Sequence, residues 1–482
     1  MTVRRFGVMV YAVYRSGGTA ADISTSAIRR RRTKEVGNRR SSPVFRIIMS
    51  HLDRFFKRQP PGRLIALGFA LVILLGAGLL LLPVSVRPGA EVSFIDALFT
   101  STSAVCVTGL IAIDTADHFT FFGQAVVAGL IQVGGLGVTS VGVGLILAAG
   151  GRVSIKSRLL VKEALNVDGF KGMVRLIKAV LLMTLCFEGA GVVLSFISFA
   201  QDYPAGQALW ISIFHSVAAF NNSGFDILGG MRNLIPYQTD ILLNLTTCGL
   251  IIFGGLGFLV ILDISRCRSF RKLTLHSKVV LTTTVLLLVL GTLLLKATED
   301  ISWLGAFFHS VSARTAGFST YPIGSFTDAG LFVLIILMFI GASPGSTGGG
   351  IKTTTFFALM QEVRTVVSKR RAGAFHRTLP GEVLRKSSVI ALLSMLVVCI
   401  GTFLLCILEP EYEFIQLLFE VVSAFGTVGL STGITPDLGV LSKLVIILTM
   451  YTGRLGAFTL LSIWINRPDP SAHYTEEQIM IG

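Results

Sequence analysis

One short phrase occurs four times along the chain, and it limits what the chain can fold into more than any other feature. Each copy runs from a Phe to a Gly that is followed by Leu or Phe: Phe99 to Gly109-Leu110, Phe214 to Gly224-Phe225, Phe308 to Gly317-Phe318, and Phe419 to Gly429-Leu430. The Phe-to-Gly spacing is 10, 10, 9 and 10 residues, with a Ser or Ala a few residues after each Phe. Self-similarity at one topological position marks a chain built by repeating one unit. Here the unit reads helix, short half-helix, Gly-containing loop, helix.

The medium around that unit is lipid. Of the 482 residues 52% are hydrophobic and only 14% charged, with a mean hydropathy of +0.74. A soluble chain of this length cannot coat itself with so little charge, whereas several apolar runs reach the roughly 20 residues that cross about 30 Å of hydrocarbon as helix. The runs predict spanning helices over 64–83, 122–149, 174–199, 239–263, 279–296, 387–408 and 439–465. A further span over 328–368 is too long for one pass and is broken by Gly and Pro. Eight crossings put both termini on one side.

Loop charge says which side. The connections 151–178, 264–278 and 364–386 hold 7, 5 and 7 Lys/Arg, while the connections on the other side hold four (Arg87, Arg232, Lys296 and Lys443) against fourteen acidic residues. Lys/Arg gathers in short cytoplasmic loops, so the reading is a multi-pass membrane protein with both termini cytoplasmic. The acidic outer mouth would raise the local cation concentration.

The units fall at 63–150, 174–265, 276–368 and 386–466, with a cytoplasmic tail over 467–482. Residues 1–62 read as a basic cytoplasmic N-terminal tail: residues 1–63 carry +12 of the formal +15 charge. Three readings stay open for it: a disordered cytoplasmic tail near anionic lipid, a targeting peptide, or upstream sequence preceding a start at Met49. The six cysteines lie mostly in apolar runs without a C-x-x-C pair and read as small buried hydrophobes.

Non-helical backbone at membrane depth leaves amides and carbonyls without helical partners, at several kcal/mol per group in lipid. It persists where protein or water surrounds it. Four such loops can meet on a pseudo-fourfold axis, aim their carbonyl oxygens inward and replace the hydration shell of a cation. The Gly lets the backbone turn without a Cβ collision, and each half-helix points its partially negative C-terminal end at the axis. Small residues can also serve close helix packing alone, but four copies at one position favour the pore. The fold class expected is an all-α polytopic membrane protein with four helix–re-entrant loop–helix repeats around one pore.

These four phrases, together with the run from Gly341 through Ser343-Pro344-Gly345-Ser346-Thr347-Gly348-Gly349-Gly350 to Lys352-Thr353-Thr354-Thr355, resemble the Trk/Ktr/HKT superfamily of potassium transporters. Within it the chain is most similar to the membrane subunit of bacterial Ktr systems, through its eight-crossing length and the phrase Tyr451-Thr452-Gly453-Arg454-Leu455-Gly456. The resemblance covers roughly 55–467. It implies that Gly109, Gly224, Gly317 and Gly429 are filter glycines, with Val107, Thr108, Asn222, Ser223, Thr315, Ala316, Thr427 and Val428 supplying carbonyls. Gly at all four positions goes with the potassium-preferring members. It assigns the broken third-repeat helix to a gate, comprising Gly345, Ser346, Thr347, Gly348, Gly349, Gly350, Lys352 and Arg454. Physically, the Gly-rich run cannot hold a regular helix and can lie beneath the filter as a plug. Arg454 sits in an apolar helix, where an unpaired charge costs at least about 2.5 kcal/mol, and reads as a positive barrier partnered with the plug; Lys352 could instead reach the cytosol.

The resemblance further implies potassium uptake, a homodimer, and a separate cytoplasmic nucleotide-binding regulatory subunit forming a KtrA-like ring. No cofactor and no nucleic acid is expected in this chain, with potassium the substrate and sodium a candidate activator. An enzyme is not expected: Ile351 separates Gly from Lys in the one P-loop-like stretch, and no H-E-x-x-H or His/Cys cluster is present. No metal or catalytic residues are assigned, and His215 and His309, at equivalent repeat positions, read as packing residues. The competing reading is a secondary transporter of another cation or small solute, such as a sodium-coupled symporter. It would want inverted repeats and midplane carboxylates, for which only Glu188 and Glu420 are candidates.

Overall fold

The computed structural model describes residues 61–148, 173–267, 269–369, 371–456 and 459. The expectations for residues 1–60, the start at Met49, most of the 151–178 connection and the tail 467–482 lie outside the described residues. The described residues are mostly helical, with one short hairpin pairing Gly373–Ala374 with Arg377–Thr378, and the helices recur in the same order.

The first set is α1 (Pro61–Leu80), α2 (Phe94–Cys106), α3 (Phe121–Leu136) and α4 (Val138–Ala148). The second is α5 (Met173–Phe199), α6 (Ala205–Phe220), α7 (Ile241–Leu256) and α8 (Phe258–Cys267). The third is α9 (Leu275–Thr298), α10 (Trp303–Ser312), α11 (Asp328–Phe339) and α12 (Thr353–Ser368), and the last is α13 (Gly381–Leu408), α14 (Phe414–Gly426) and α15 (Val440–Leu455). Among the described residues four helices are long and apolar enough to cross a membrane, within α1, α5, α9 and α13. These open the four sets. Their outward faces keep large apolar side chains such as Leu71, Leu75, Val285, Leu392 and Phe403 exposed, as suits contact with hydrocarbon.

The short second helices bury their C-terminal turns inside, while their first residues, such as Phe94, Trp303 and Phe414, stay exposed. Each begins at a polar or helix-starting residue: Ser93 accepts from Asp96 N–H at 3.2 Å and Ser302 from Gly305 N–H at 3.0 Å, closing first turns that lipid would leave unpaired. Each docks on its long helix at a glycine. Side chains at Gly76, Gly191 and Gly291 would collide with Ser101, Ser216 and Ser310, and one at Gly401 would come within 2.9 Å of Val421. The serines use that closeness to donate to the Ile73, Glu188 and Leu288 carbonyls at 2.7, 2.7 and 2.9 Å. Phe99, Phe214, Phe308 and Phe419 are all fully buried on these helices.

The inner helices depart from the expected unbroken spans over 122–149, 239–263 and 439–465. They stop at Gly137, Gly257 and Gly456, with φ of 82°, 92° and 85°. Each pairs that φ with an extended ψ, a conformation essentially confined to Gly. The turn at Gly257 bends α7 against α8 by 96°. In the third set residues 340–352 are not helical, as the Gly and Pro content predicts. Lys443, expected in an outer connection, sits in α15 and pairs with Asp96 of α2 at 3.0 Å, joining the last set to the first. The cysteines are all free; Cys106 and Cys248 are buried as expected, but Cys399 is exposed on the apolar outer face of α13.

Candidate functional site

The four repeated loops share a backbone signature that composition does not reveal. Val107, Asn222, Thr315 and Thr427, each two residues before its Gly, have φ of 59°, 59°, 74° and 51°. Three of these are β-branched, for which left-handed backbone is an outlier. Strain of this kind survives only where the surroundings over-determine it. Gly109, Gly224, Gly317 and Gly429 follow with φ of 93°, 66°, 78° and 95°. Thr108, Ser223, Ala316 and Val428 stand between the two left-handed positions, and none of the eight non-glycine loop residues is exposed to solvent.

The carbonyl oxygens of those middle residues lie close against one another's glycines. A Cβ on Gly109 would run into the Ser223 carbonyl and lie 3.1 Å from Gly224 Cα. One on Gly224 would lie 2.7 Å from the Ala316 carbonyl oxygen and 2.8 Å from Gly317 Cα. One on Gly317 would run into the Val428 carbonyl, 3.1 Å from Gly429 Cα, and one on Gly429 would meet the Thr108 carbonyl, 2.9 Å from Gly109 Cα. The order of neighbours returns to its start.

The recurrent Ser supports this geometry. Ser103 Oγ accepts from Gly109 N–H at 3.0 Å and donates to the Leu110 carbonyl at 2.8 Å; Ser423 accepts from Gly429 N–H at 3.0 Å, and Ser312 donates to the Phe318 carbonyl. The second repeat has Ala218 there. Glu420, fully buried in α14, holds the segment after Gly429: its carboxylate accepts from Ser431 Oγ and Thr435 Oγ1, each at 2.7 Å, and from Thr432 N–H at 2.9 Å. Glu188 accepts from Asn221 Nδ2 at 3.1 Å. His215 Nε2 lies 2.9 Å from Thr247 Oγ1, and His309 Nδ1 lies 2.9 Å from the Gly305 carbonyl. Among the described residues no group of His, Cys, Asp and Glu could hold a metal ion.

The non-helical stretch of the third set crosses against these loops. A Cβ on Gly348 would strike the Thr315 side chain, one on Gly349 would lie 2.8 Å from Thr427 Cγ2, and one on Gly350 3.2 Å from Gly426 Cα. Three successive glycines are therefore three separate close approaches. Thr347 Oγ1 lies 3.3 Å from both the Phe220 carbonyl and Asn222 Oδ1. Gly345 accepts from Phe258 N–H at 3.0 Å, and Ser346 Oγ donates to the Ser343 carbonyl at 2.6 Å. Lys352, which sequence left free to reach the cytosol, turns back: its Nζ donates to the Gly348 and Gly349 carbonyls at 2.7 and 3.3 Å. Arg454 donates to the carbonyls of Thr347 and Gly134, and to that of Gly135 at 3.4 Å.

Gly134, Gly135, Gly254 and Gly255 were not singled out by sequence reasoning, and they belong here. A side chain at Gly134 would strike Val105, at Gly135 the Asn221 side chain, and at Gly254 the Phe220 carbonyl. The signal was available: Gly134-Gly135-Leu136-Gly137, Gly254-Gly255-Leu256-Gly257 and Gly453-Arg454-Leu455-Gly456 are copies of one phrase. Arg454 occupies the place that Gly135 and Gly255 fill in the other copies.

Strained loops drawn together by a bundle of lipid-facing helices define a polytopic membrane protein whose centre is made of backbone. The chain belongs to the TrkH family, described as cation transport protein, which matches residues 72–299 and 273–473; this places it among transport proteins rather than enzymes. It is 39% identical over 447 residues to the potassium/sodium uptake protein NtpJ of Enterococcus hirae, covering 89% of this chain and 99% of that one. It is 36% identical over 439 residues to the Ktr system potassium uptake protein B of Bacillus subtilis, covering 88% and 97%. The fold matches the crystal structure of the potassium transporter TrkH from Vibrio parahaemolyticus with a TM-score of 0.67 over 84% of this chain and 85% of that one, at 21% identity.

Proposed function

We propose that this chain carries potassium into the cell across a bacterial cytoplasmic membrane, through a filter formed by its four re-entrant loops in pseudo-fourfold arrangement. The observation that carries the reading is the closed order of neighbours, in which the Thr108, Ser223, Ala316 and Val428 carbonyls each face the glycine of an adjoining loop. Four inward carbonyl groups offer oxygen in place of water to a bare cation. Potassium is favoured by the names of its relatives, among them the Ktr system proteins, and by glycine at every filter position. Sodium enters as an activator or a second, less favoured ion.

The stretch from Gly345 to Lys352 is the gate, held shut by Arg454. Its carbonyls are the acceptors of both Lys352 and Arg454, so the closed segment gathers two positive charges near the ion's exit. Orientation follows loop charge, with both termini and the basic connections cytoplasmic; the four sets act as one pore unit, two chains pair, and a separate nucleotide-binding ring regulates them. The hydrogen-bonding of Glu188 and Glu420 to neighbouring loops supports a pore over a symporter, since both carboxylates are engaged in holding structure.

The test is rescue of a potassium-uptake-deficient bacterium at low potassium, with and without the cognate regulatory subunit. Growth together with rubidium uptake is expected. Well-expressed protein that moves neither potassium nor rubidium overturns the reading.

A further inference from the structure

Asn233 lies nine residues beyond Gly224, in the loop between α6 and α7, and touches two filter loops at once. Its Nδ2 donates to the Gly224 carbonyl at 3.3 Å. Its Oδ1 accepts from Ser319 N–H at 3.1 Å and from Leu234 N–H at 2.9 Å. Both Oδ1 contacts are backbone donors and the Nδ2 contact is a carbonyl, so the amide can face only one way. Leu234 N–H also lies 3.1 Å from the Ser319 carbonyl. Ser319 follows Gly317 by two residues, and Gly224 and Gly317 are immediate neighbours. A single side chain therefore spans the seam between the second and third repeats.

The segment bearing Asn233 is itself held in place. Gly229, Gly230, Met231 and Asn233 all have positive φ, of 82°, 65°, 51° and 49°, and Asn is among the few residues that tolerate this. The strained turn is fastened to the first repeat: Met231 N–H donates to Asp114 at 2.6 Å and Gly230 N–H to Asp117 at 2.9 Å. Arg232 donates back to the Gly229 and Leu228 carbonyls at 3.1 Å each. Three repeats meet at this segment.

We infer that Asn233 is a positioning residue for ion selection, a strap that fixes the spacing of the second and third filter loops and restrains the Gly224 carbonyl. This rests on the filter reading above. A smaller ion is coordinated only if the filter carbonyls close in on it, and a loop whose glycine is held by an amide on a braced segment resists that movement. The larger ion needs no such movement. Loss of the strap should therefore raise sodium passage more than it changes potassium passage.

The experiment compares full-length wild type, Asn233→Asp and Asn233→Gly in proteoliposomes together with the cognate regulatory subunit, measuring potassium, rubidium and sodium fluxes. Asn233→Asp retains the acceptor and removes the donor; Asn233→Gly keeps the left-handed backbone and removes both. Losing a hydrogen bond of ordinary strength predicts a potassium-to-sodium ratio lowered roughly 3- to 10-fold, with the larger effect in Asn233→Gly and the potassium flux nearly kept. An unchanged ratio at whatever flux remains, or equal loss of both ions, overturns the inference. Should Asn233→Gly fail to fold, Asn233→Asp decides alone. A wild type that moves neither potassium nor rubidium speaks against the filter reading and not against the strap.

Discussion

The guanidinium of Arg454, in the last turn of α15, binds the Thr347 carbonyl in the third repeat and the Gly134 carbonyl in the first. One side chain thereby ties the non-helical stretch to a different quarter of the molecule. Hydrogen bonds from a charged donor are worth about 1.5–3 kcal/mol each. Arg454→Ala should weaken the closed arrangement and raise rubidium uptake severalfold, as should shortening the run from Gly348 to Gly350. Unaltered uptake in both variants would sink the gate.

Gly109→Ser puts a Cβ into the Ser223 carbonyl at a backbone φ of 93°. The two loops must part or the carbonyl must turn away. The expected outcome is weaker discrimination against sodium, read as the ratio of potassium to sodium flux. Relative fluxes that stay as in the wild type would reject the assignment of this loop.

Glu420→Ala removes the fully buried acceptor shared by the half-buried Ser431 and Thr432 and the buried Thr435. Each unsatisfied buried group costs about 1–3 kcal/mol, so the thermal midpoint of the purified protein should fall by several degrees. Glu420→Gln, which keeps an acceptor oxygen, should recover part of the loss.

Asp226 lies in the loop between α6 and α7, outside the spanning helices. Burial pushes its carboxyl up to about 7, and Asp114 and Asp117 push the same way, while Leu228 N–H and Arg232 pull it down. An unfolded chain releases this proton near pH 4. Folding thus takes up a proton between about pH 4 and pH 7, and this group's contribution to stability declines as pH rises through that window, levelling off above it. Asp226→Asn should flatten the slope of thermal stability against pH relative to wild type; parallel curves would refute it.

The sequence made the four glycines legible because each is tied to a Phe at nearly fixed spacing and sits between apolar runs. It also marked 340–352 as non-helical, through its Gly and Pro. It concealed the breaks at Gly137 and Gly257, because an apolar run counts Gly as neutral and cannot show that φ is positive there. The docking glycines Gly76, Gly191, Gly291 and Gly401 were hidden for the same reason: their meaning is the side chain opposite. Asn233 carries no motif at all. Its importance comes from Gly224 and Ser319, the second of them 86 residues away, and only folding brings the three together.

Gly348, Gly349 and Gly350 each press against a different loop residue, and no other repeat carries three consecutive glycines. A tetramer of identical subunits would have to crowd four such segments into the same space. Encoding all four quarters in one polypeptide removes that conflict, because a single quarter is free to specialise while its siblings keep the common plan. One departing segment beside four like loops is thus open to a single chain and closed to four identical copies.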